Sequence, residues 1–316
     1  MTVIAVARVL LPAGFDLLRD RAEVRVGGSE TTPQRVREIA SGADVLVADP
    51  TVVVNAELLD AAGPGLRLVA NYAVGYDNID VEECRRRGVL VTNTPDVLTN
   101  ATAELALALT LAAARLLGEA ERDLRAGIWR GWDPALYRGL ELSGATFGVV
   151  GMGRIGSRYA ELSSGLGPEL LYTSPSPKTE VERRLGAARV GLEELLRRCD
   201  VVSLHVPATP QTHHLIDDQA LELMKTGAVL VNTARGSLVD LAALAAALRE
   251  GRLGAAGLDV FEGEPSIPAE ILGAPRTVLT PHIGSATVKA RDAMARTVAE
   301  NVLAVLDGRE PPNRVV

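Results

Sequence analysis

Short runs of β-branched and aliphatic residues alternate with longer helical stretches along this chain, the pattern of βαβ units built on parallel sheets. The alternation runs twice. The first series predicts strands over Val3–Val9, Glu23–Val26, Val45–Ala48, Leu66–Ala70 and Val89–Val91. Helices are expected between them over Phe15–Arg21, after Pro33, over Ala56–Ala62 and over Val81–Arg87. The second series predicts strands at Thr146–Val150, Glu169–Tyr172, Arg189–Val190, Val201–His205, Ala228–Asn232, Gly254–Val260 and Thr277–Thr280. Its helices are expected at Ile155–Ser163, Leu192–Arg198, Asp217–Leu223, Leu241–Glu250 and Pro268–Leu272.

A helix over about Ala101–Leu117 joins the two series. It is apolar nearly all round, which predicts burial on several sides at a domain or subunit interface. Gly127–Gly139 reads as a loop holding Trp129 and Trp132, and a last helix over about Thr287–Asp307 returns to the first unit. The expected division is therefore 1–97 plus 287–316 for one domain and 98–286 for the other.

Composition narrows the function classes. Of 316 residues, 47% are apolar and 23% charged, the balance of a globular chain and not of a disordered one. A net charge of −7 argues against nucleic acid as a partner. No apolar run reaches the ~20 residues of a membrane span. Val3–Leu11 carries Arg8 and has no basic stretch before it, so it reads as a strand and not as a signal peptide. Cys84 and Cys199 lie far apart, which predicts neither a disulfide framework nor a metal cluster, and no metal site is expected. The expected location is cytoplasmic. With aromatics at 3%, the core must be packed from Ala, Val, Leu and Ile.

Gly151-Met152-Gly153-Arg154-Ile155-Gly156 follows a strand and opens a helix. In such a loop Gly151 permits the tight turn, Gly153 lets backbone approach a pyrophosphate, and Gly156 lets helix and strand pack closely. Dinucleotide binding follows. The acid expected about 20 residues on, which bonds the ribose 2′-hydroxyl, is missing. Ser174 stands there, followed by Pro175, Ser176, Pro177 and Lys178. An uncharged residue removes repulsion toward a 2′-phosphate and a lysine attracts it, so the residues favour NADP(H), with NAD(H) the alternative.

Three later strands run into polar tips at Arg235, Glu264 and His282. In open parallel sheets the carboxyl ends of the strands form the ligand crevice. A histidine as general acid, a carboxylate to orient it and favour its charged form, and an arginine to hold a substrate carboxylate make a coherent set for reducing a keto acid.

These segments give the chain a strong resemblance to the D-isomer-specific 2-hydroxyacid dehydrogenases over essentially its full length. The residues that carry it are Asn71–Asp80, Asn93–Glu104, Val150–Gly156, Leu204–Pro207, Asn232–Asp240, Gly257–Pro265 and Thr280–Ala286. Trp129–Pro134 and Pro311-Pro312-Asn313 look most like the glyoxylate/hydroxypyruvate reductases within that family. The resemblance implies two doubly wound α/β domains, a flavodoxin-like substrate domain and a Rossmann cofactor domain. It implies Arg235 on the substrate carboxylate, Glu264 and His282 as the acid–base pair, and the amides of Val74 and Gly75 as further carboxylate ligands. Thr102, Arg154, Ile155, Val206, Pro207, Thr212, Thr233, Ala234 and Asp259 would line the cofactor, Asp259 near the nicotinamide carboxamide. A homodimer joined through the long helix and the loop after it is also implied, with Trp132 reaching toward the partner's site.

The expected reaction is hydride transfer to the C2 carbonyl of glyoxylate or hydroxypyruvate. Alternatives are another substrate within the family, as in the phosphoglycerate dehydrogenases, or a dinucleotide-sensing scaffold that keeps the Arg–Glu–His set. The formate dehydrogenases place Gln where Glu264 stands, and phosphite oxidation is a remote rival.

Overall fold

The computed structural model describes residues 2–316, and the chain divides into two compact units, 1–98 with 285–316 and 99–284. The first unit holds five strands, β1 (Val3–Val6), β2 (Glu23–Val26), β3 (Val45–Ala48), β4 (Leu68–Asn71) and β5 (Leu90–Thr92). All pair in parallel in the order β2-β1-β3-β4-β5, the flavodoxin-like arrangement. The strands β1, β3 and β4 are buried at every position, which is why they read as unbroken aliphatic runs, while the edge strand β2 alternates charge with valine.

Helices α1 (Pro12–Leu18), α2 (Pro33–Ala40), α3 (Ala56–Ala62) and α4 (Val81–Arg86) cross between these strands. Thr32, Asn55 and Asp80 cap the last three, each side chain accepting from the amide three residues on. Helix α1 starts earlier than the expected Phe15, because Pro12 occupies its first turn, where a missing N–H costs nothing.

The second unit opens with α5 (Thr99–Ala114) and α6 (Leu117–Arg125). The single helix expected through Leu117 is thus two, bent by 66°. The cause is local. The Ala114 carbonyl accepts the Leu140 N–H (2.7 Å), Leu116 turns left-handed (φ 52°), and Gly118 lets α6 run against the backbone of Thr277. No single helix among the described residues is long and apolar enough to cross a membrane. Helix α5 is buried on the sheet of its own unit, where Gly257 lets the backbone come within contact of Leu109.

The remaining elements follow in order: β6 (Thr146–Val150), α7 (Arg154–Ser163), β7 (Glu169–Thr173), α8 (Thr179–Leu185), β8 (Ala188–Arg189) and α9 (Leu192–Arg198). After them come β9 (Val201–Leu204), α10 (Asp218–Leu223), β10 (Val229–Asn232), α11 (Leu241–Arg249), β11 (Ala255–Leu258), α12 (Ala269–Leu272) and β12 (Thr277–Leu279). Helix α8 has no counterpart in the sequence reading. The parallel sheet runs β12-β11-β10-β9-β6-β7-β8. Chain order reverses between β6 and β9, the switch point at which such sheets bind nucleotides. One core packs each face, with Phe147, Tyr159 and Tyr172 among the few aromatics, all fully buried.

The chain then returns to the first unit as α13 (Val288–Leu306), whose Ala295, Val298, Ala299 and Val302 pack with Ile4, Val6 and Leu68. Gly14 permits this contact, since a Cβ there would lie 2.2 Å from the Ala295 carbonyl oxygen.

Candidate active site

The glycine loop is built as the sequence predicts, and each glycine has a separate cause. Gly151 sits at φ +98°, and a Cβ on it would strike the backbone of His205 (2.7 Å). A Cβ on Gly156 would strike the carbonyl oxygen of Gly151 at 2.1 Å. Around Gly153 there is nothing within 4 Å. Two glycines are therefore required by the protein's own packing, and the third faces open space at the N-terminus of α7, whose unpaired amides suit an anion.

Beneath the loop, His205 lies against Tyr159 with ring centroids 5.1 Å apart and its Nε2 2.9 Å from Ser203 Oγ. Burial holds its pKa down to about 3, so it packs as a neutral ring.

The arginine, glutamate and histidine tips belong to β10, β11 and β12, which are neighbours in the sheet. After β10, Asn232 is buried and shapes the turn. Its Nδ2 donates to the Arg235 carbonyl (2.7 Å) and its Oδ1 accepts from the Ala234 N–H (3.0 Å). Arg235 Nη1 donates to the Ala234 carbonyl (2.8 Å). At Gly236 a Cβ would lie 1.9 Å from the carbonyl carbon of Phe261, so the arginine turn and the glutamate turn touch backbone to backbone.

Glu264 accepts the Phe261 N–H on Oε1 (2.7 Å) and faces His282 Nδ1 with Oε2 (2.8 Å). Burial raises the Glu264 carboxyl, but the His282 hydrogen bond, the Phe261 N–H and the Arg235 charge outweigh it and hold the carboxyl below its usual value. With Nδ1 committed to Glu264, the Nε2 of His282 is the ring nitrogen left to meet a substrate.

Asp259 is the residue that fixes where His282 stands. It is fully buried, accepting Thr280 Oγ1 (2.6 Å) and the Ile283 N–H (2.8 Å) on Oδ1 and the Gly284 N–H (2.7 Å) on Oδ2. Burial pushes its carboxyl upward against these three donors. His282 itself sits at φ +55°, a left-handed conformation uncommon outside glycine, with its N–H bonded to the Asp259 carbonyl (2.8 Å).

Around this centre, Thr102 Oγ1 donates to the Gly284 carbonyl (3.1 Å), and Thr212 Oγ1 donates to the Pro207 carbonyl (2.8 Å) beside Val206. Thr233 Oγ1 is buried without a hydrogen-bond partner. An orphan hydroxyl beside the arginine turn and open space over Gly153 both fit a bound dinucleotide.

At the tip of β7, Ser174 and Lys178 are each half-buried. Lys178 precedes α8, and its backbone N–H donates to Tyr172 Oη (2.7 Å). Arg189 donates to the carbonyls of Ser174 (2.9 Å) and Pro175 (3.0 Å), which puts a guanidinium at that tip. Sequence spacing gave no signal for it, because its position depends on β8 pairing beside β7. Within the first unit, Asn93 Nδ2 donates to the Val74 carbonyl (2.8 Å) and Asn71 Nδ2 to the Gly75 carbonyl (2.7 Å). Asn71, Asn93 and Asn232 each open a segment that carries the family resemblance, and their shared role of shaping turns through side-chain amides emerges from the geometry.

Comparison with known proteins agrees with this geometry. The family model described as "D-isomer specific 2-hydroxyacid dehydrogenase, NAD binding domain" matches residues 107–284. A glyoxylate reductase of Thermococcus onnurineus is 47% identical over 318 residues, covering 99% of this chain and 95% of the relative. A crystal structure of a protein from Thermus thermophilus superposes with TM-score 0.92 at 46% identity, with 100% of both chains covered. An NADPH-dependent glyoxylate/hydroxypyruvate reductase from Sinorhizobium meliloti, in complex with NADP and malonate, gives TM-score 0.88 at 34% identity, covering 100% of this chain and 97% of that one. The two parallel sheets, the glycine loop at the switch point and the histidine–glutamate pair thus belong to an NAD(P)-dependent dehydrogenase, and the chain is a member of the D-isomer-specific 2-hydroxyacid dehydrogenase family.

Proposed function

We propose that the protein reduces glyoxylate or hydroxypyruvate to the 2-hydroxy acid, with His282 as general acid. The observation that carries this reading is the His282 Nδ1–Glu264 Oε2 hydrogen bond of 2.8 Å, on strand tips that adjoin the tip bearing Arg235. The names of the relatives, glyoxylate reductase and glyoxylate/hydroxypyruvate reductase, support the substrate class.

Reduced nicotinamide, when bound, supplies the hydride. Gly151, Gly153, Arg154, Ile155 and Gly156 would hold the pyrophosphate, and Thr102, Val206, Pro207, Thr212, Thr233 and Ala234 would line the rest of the cofactor. Asp259 lies near the nicotinamide carboxamide in this reading, and its oxygens also hold the 280–284 loop through three donors. Arg235 grips the substrate carboxylate and stabilises the charge that develops on the C2 oxygen. His282 Nε2 gives that oxygen its proton while Glu264 holds the ring by Nδ1. In the first unit, Asn93 and Asn71 tie back the carbonyls of Val74 and Gly75, whose backbone N–H groups the family resemblance implies as carboxylate ligands.

NADP(H) is the preferred cofactor in this reading. Ser174 exerts no repulsion on a 2′-phosphate, and Lys178 and Arg189 bring positive charge to the same strand tip. The active form is a homodimer, a reading supported by the exposed apolar side chains of Leu117, Leu124, Ile128, Trp129 and Trp132 along α6 and the loop after it. Steady-state reduction of glyoxylate and hydroxypyruvate with NADPH and with NADH tests the proposal. High kcat/KM with NADPH is expected. No turnover with either substrate would overturn it.

A further inference from the structure

Outside the catalytic pair, one further set of metal-ligating side chains converges among the described residues. The ligand atoms of His213, His214 and Glu262 all lie within 4.8 Å of one another. His213 Nε2 is 3.0 Å from Glu262 Oε1, and His214 Nε2 is 2.8 Å from Glu262 Oε2. The two imidazoles stack, with centroids 4.0 Å apart and planes 24° from parallel, so both Nε2 atoms face the same carboxylate.

Adjacent residues in extended chain point to opposite sides. Here the backbone of His214 is left-handed (φ 48°), which turns its ring to the side of its neighbour's. Hydrogen bonds fix that conformation. His213 N–H donates to the Thr209 carbonyl (3.1 Å) and His214 N–H to the Ser237 carbonyl (2.8 Å). Across from them, Glu262 N is held against Gly236, where a Cβ would lie 2.2 Å away. All three ligands thus project from anchored backbone, and the group is open to solvent: their side chains are 52%, 34% and 42% exposed.

Two imidazoles and a carboxylate are the donor set of many three-ligand zinc sites, with water as the fourth ligand. Metal–ligand bonds of ~2.0–2.1 Å in a tetrahedron put ligand atoms roughly 3.3 Å apart. Replacing the two bridging protons by a cation therefore lengthens the two imidazole–carboxylate contacts by a few tenths of an ångström and draws together ligand atoms that now lie within 4.8 Å of one another. We propose that His213, His214 and Glu262 form a binding site for a borderline divalent cation of the zinc class, separate from the His282–Glu264 pair. Bound there, the cation ties the 209–214 turn to the 261–264 turn that carries Glu264. Magnesium and calcium, which prefer oxygen ligands, bind much more weakly.

The test uses the full chain, stripped with a chelator and dialysed, titrated with Zn²⁺ against a chromophoric chelator. One Zn²⁺ per chain is expected, and Co²⁺ in its place should show the visible absorption of a four-coordinate ion. His213→Gln and Glu262→Gln should each weaken binding about 100-fold, since even residues that only support a ligand cost 10–100-fold. His282→Gln should bind as the wild type does. His213 is exposed, and circular dichroism with a thermal melt checks that its variant folds. The proposal is overturned if the unmodified chain shows no saturable site. Zn²⁺ binding that survives both ligand variants, or that is lost in His282→Gln, overturns it equally.

Discussion

At the tip of β6 the second sheet presents bare backbone, whereas at the tips of β10, β11 and β12 it presents side chains held by hydrogen bonds. The first half works by what is missing. Gly153 has nothing within 4 Å of where a Cβ would stand, and Ser174 lacks the acid that would repel a 2′-phosphate. The second half works by what is fixed, with Asn232 shaping the arginine turn and Asp259 the histidine loop. The difference teaches that a cofactor bound by its phosphates needs space and amides, while a proton donor needs a defined nitrogen at a defined place.

The largest break in this comparison comes from the side-chain half. Replacing His282 by Gln removes the proton donor without removing a core residue, and kcat should fall roughly 10²–10⁴-fold. Stopped-flow single turnovers with glyoxylate, beside a circular dichroism spectrum that stays unchanged, check it. Near-normal turnover would exclude His282 as the acid.

Glu264→Gln comes next, with an expected loss of about 10–100-fold, since the ring keeps a hydrogen-bond partner but loses the charge that steadies its protonated form. The pH profile sharpens the point. Reduction should weaken in acid as Glu264 is protonated, and that limb lies below the usual carboxylate value because the folded state holds Glu264 down. The sign for stability is the same. A carboxyl held lower in the folded state stabilises the fold above its unfolded value, and the contribution disappears as pH falls through the folded value. Urea melts at neutral and acid pH should thus converge for wild type and Glu264→Gln at the acid end.

Much of this was legible before the coordinates. The succession of strands and helices along the chain follows from the alternation of runs, and the three polar tips follow from reading where each strand stops. What the sequence concealed was every feature set by a neighbour in space. The break at Leu116 depends on Leu140 N–H taking the Ala114 carbonyl, a partner twenty-six residues away in the chain. Helix α8 is short and begins at a proline-rich turn, so no apolar period announces it, with only Val181 buried. Asp259 holds the histidine loop as well, its two oxygens serving three donors from it, a role the strand pattern did not announce. Arg189 reaches the Ser174 tip only because β8 lies beside β7.

The glycine half can be split by one methyl group. Gly153→Ala adds a Cβ where the protein has no atom within 4 Å, at an ordinary extended φ of −82°. Stability should stay within about 0.5 kcal/mol of wild type, while KM for the dinucleotide rises about tenfold, equivalent to ~1.4 kcal/mol. Gly156→Ala adds the same methyl 2.1 Å from the Gly151 carbonyl oxygen. There the cost falls on the fold, about 1–3 kcal/mol by overpacking. Urea denaturation alongside KM measurements separates the two, and equal losses of stability would mean that Gly153 is also a packing glycine.

The smallest expected effect tests which cation selects the cofactor. Arg189 is already held by the carbonyls of Ser174 and Pro175, so its guanidinium is placed without further ordering. Lys178 is held through its backbone, its N–H on Tyr172 Oη and its carbonyl accepting the Glu182 N–H, and its side chain leaves from the start of α8. Both are exposed enough for water to screen them, which limits either contribution to a few-fold. Arg189→Ala should raise KM for NADPH about threefold and leave KM for NADH alone, with the difference shrinking in high salt. Lys178→Ala should change either constant by less. If the lysine variant shows the larger NADPH effect, the flexible ammonium does the selecting, and the arginine serves only to close the turn after β7.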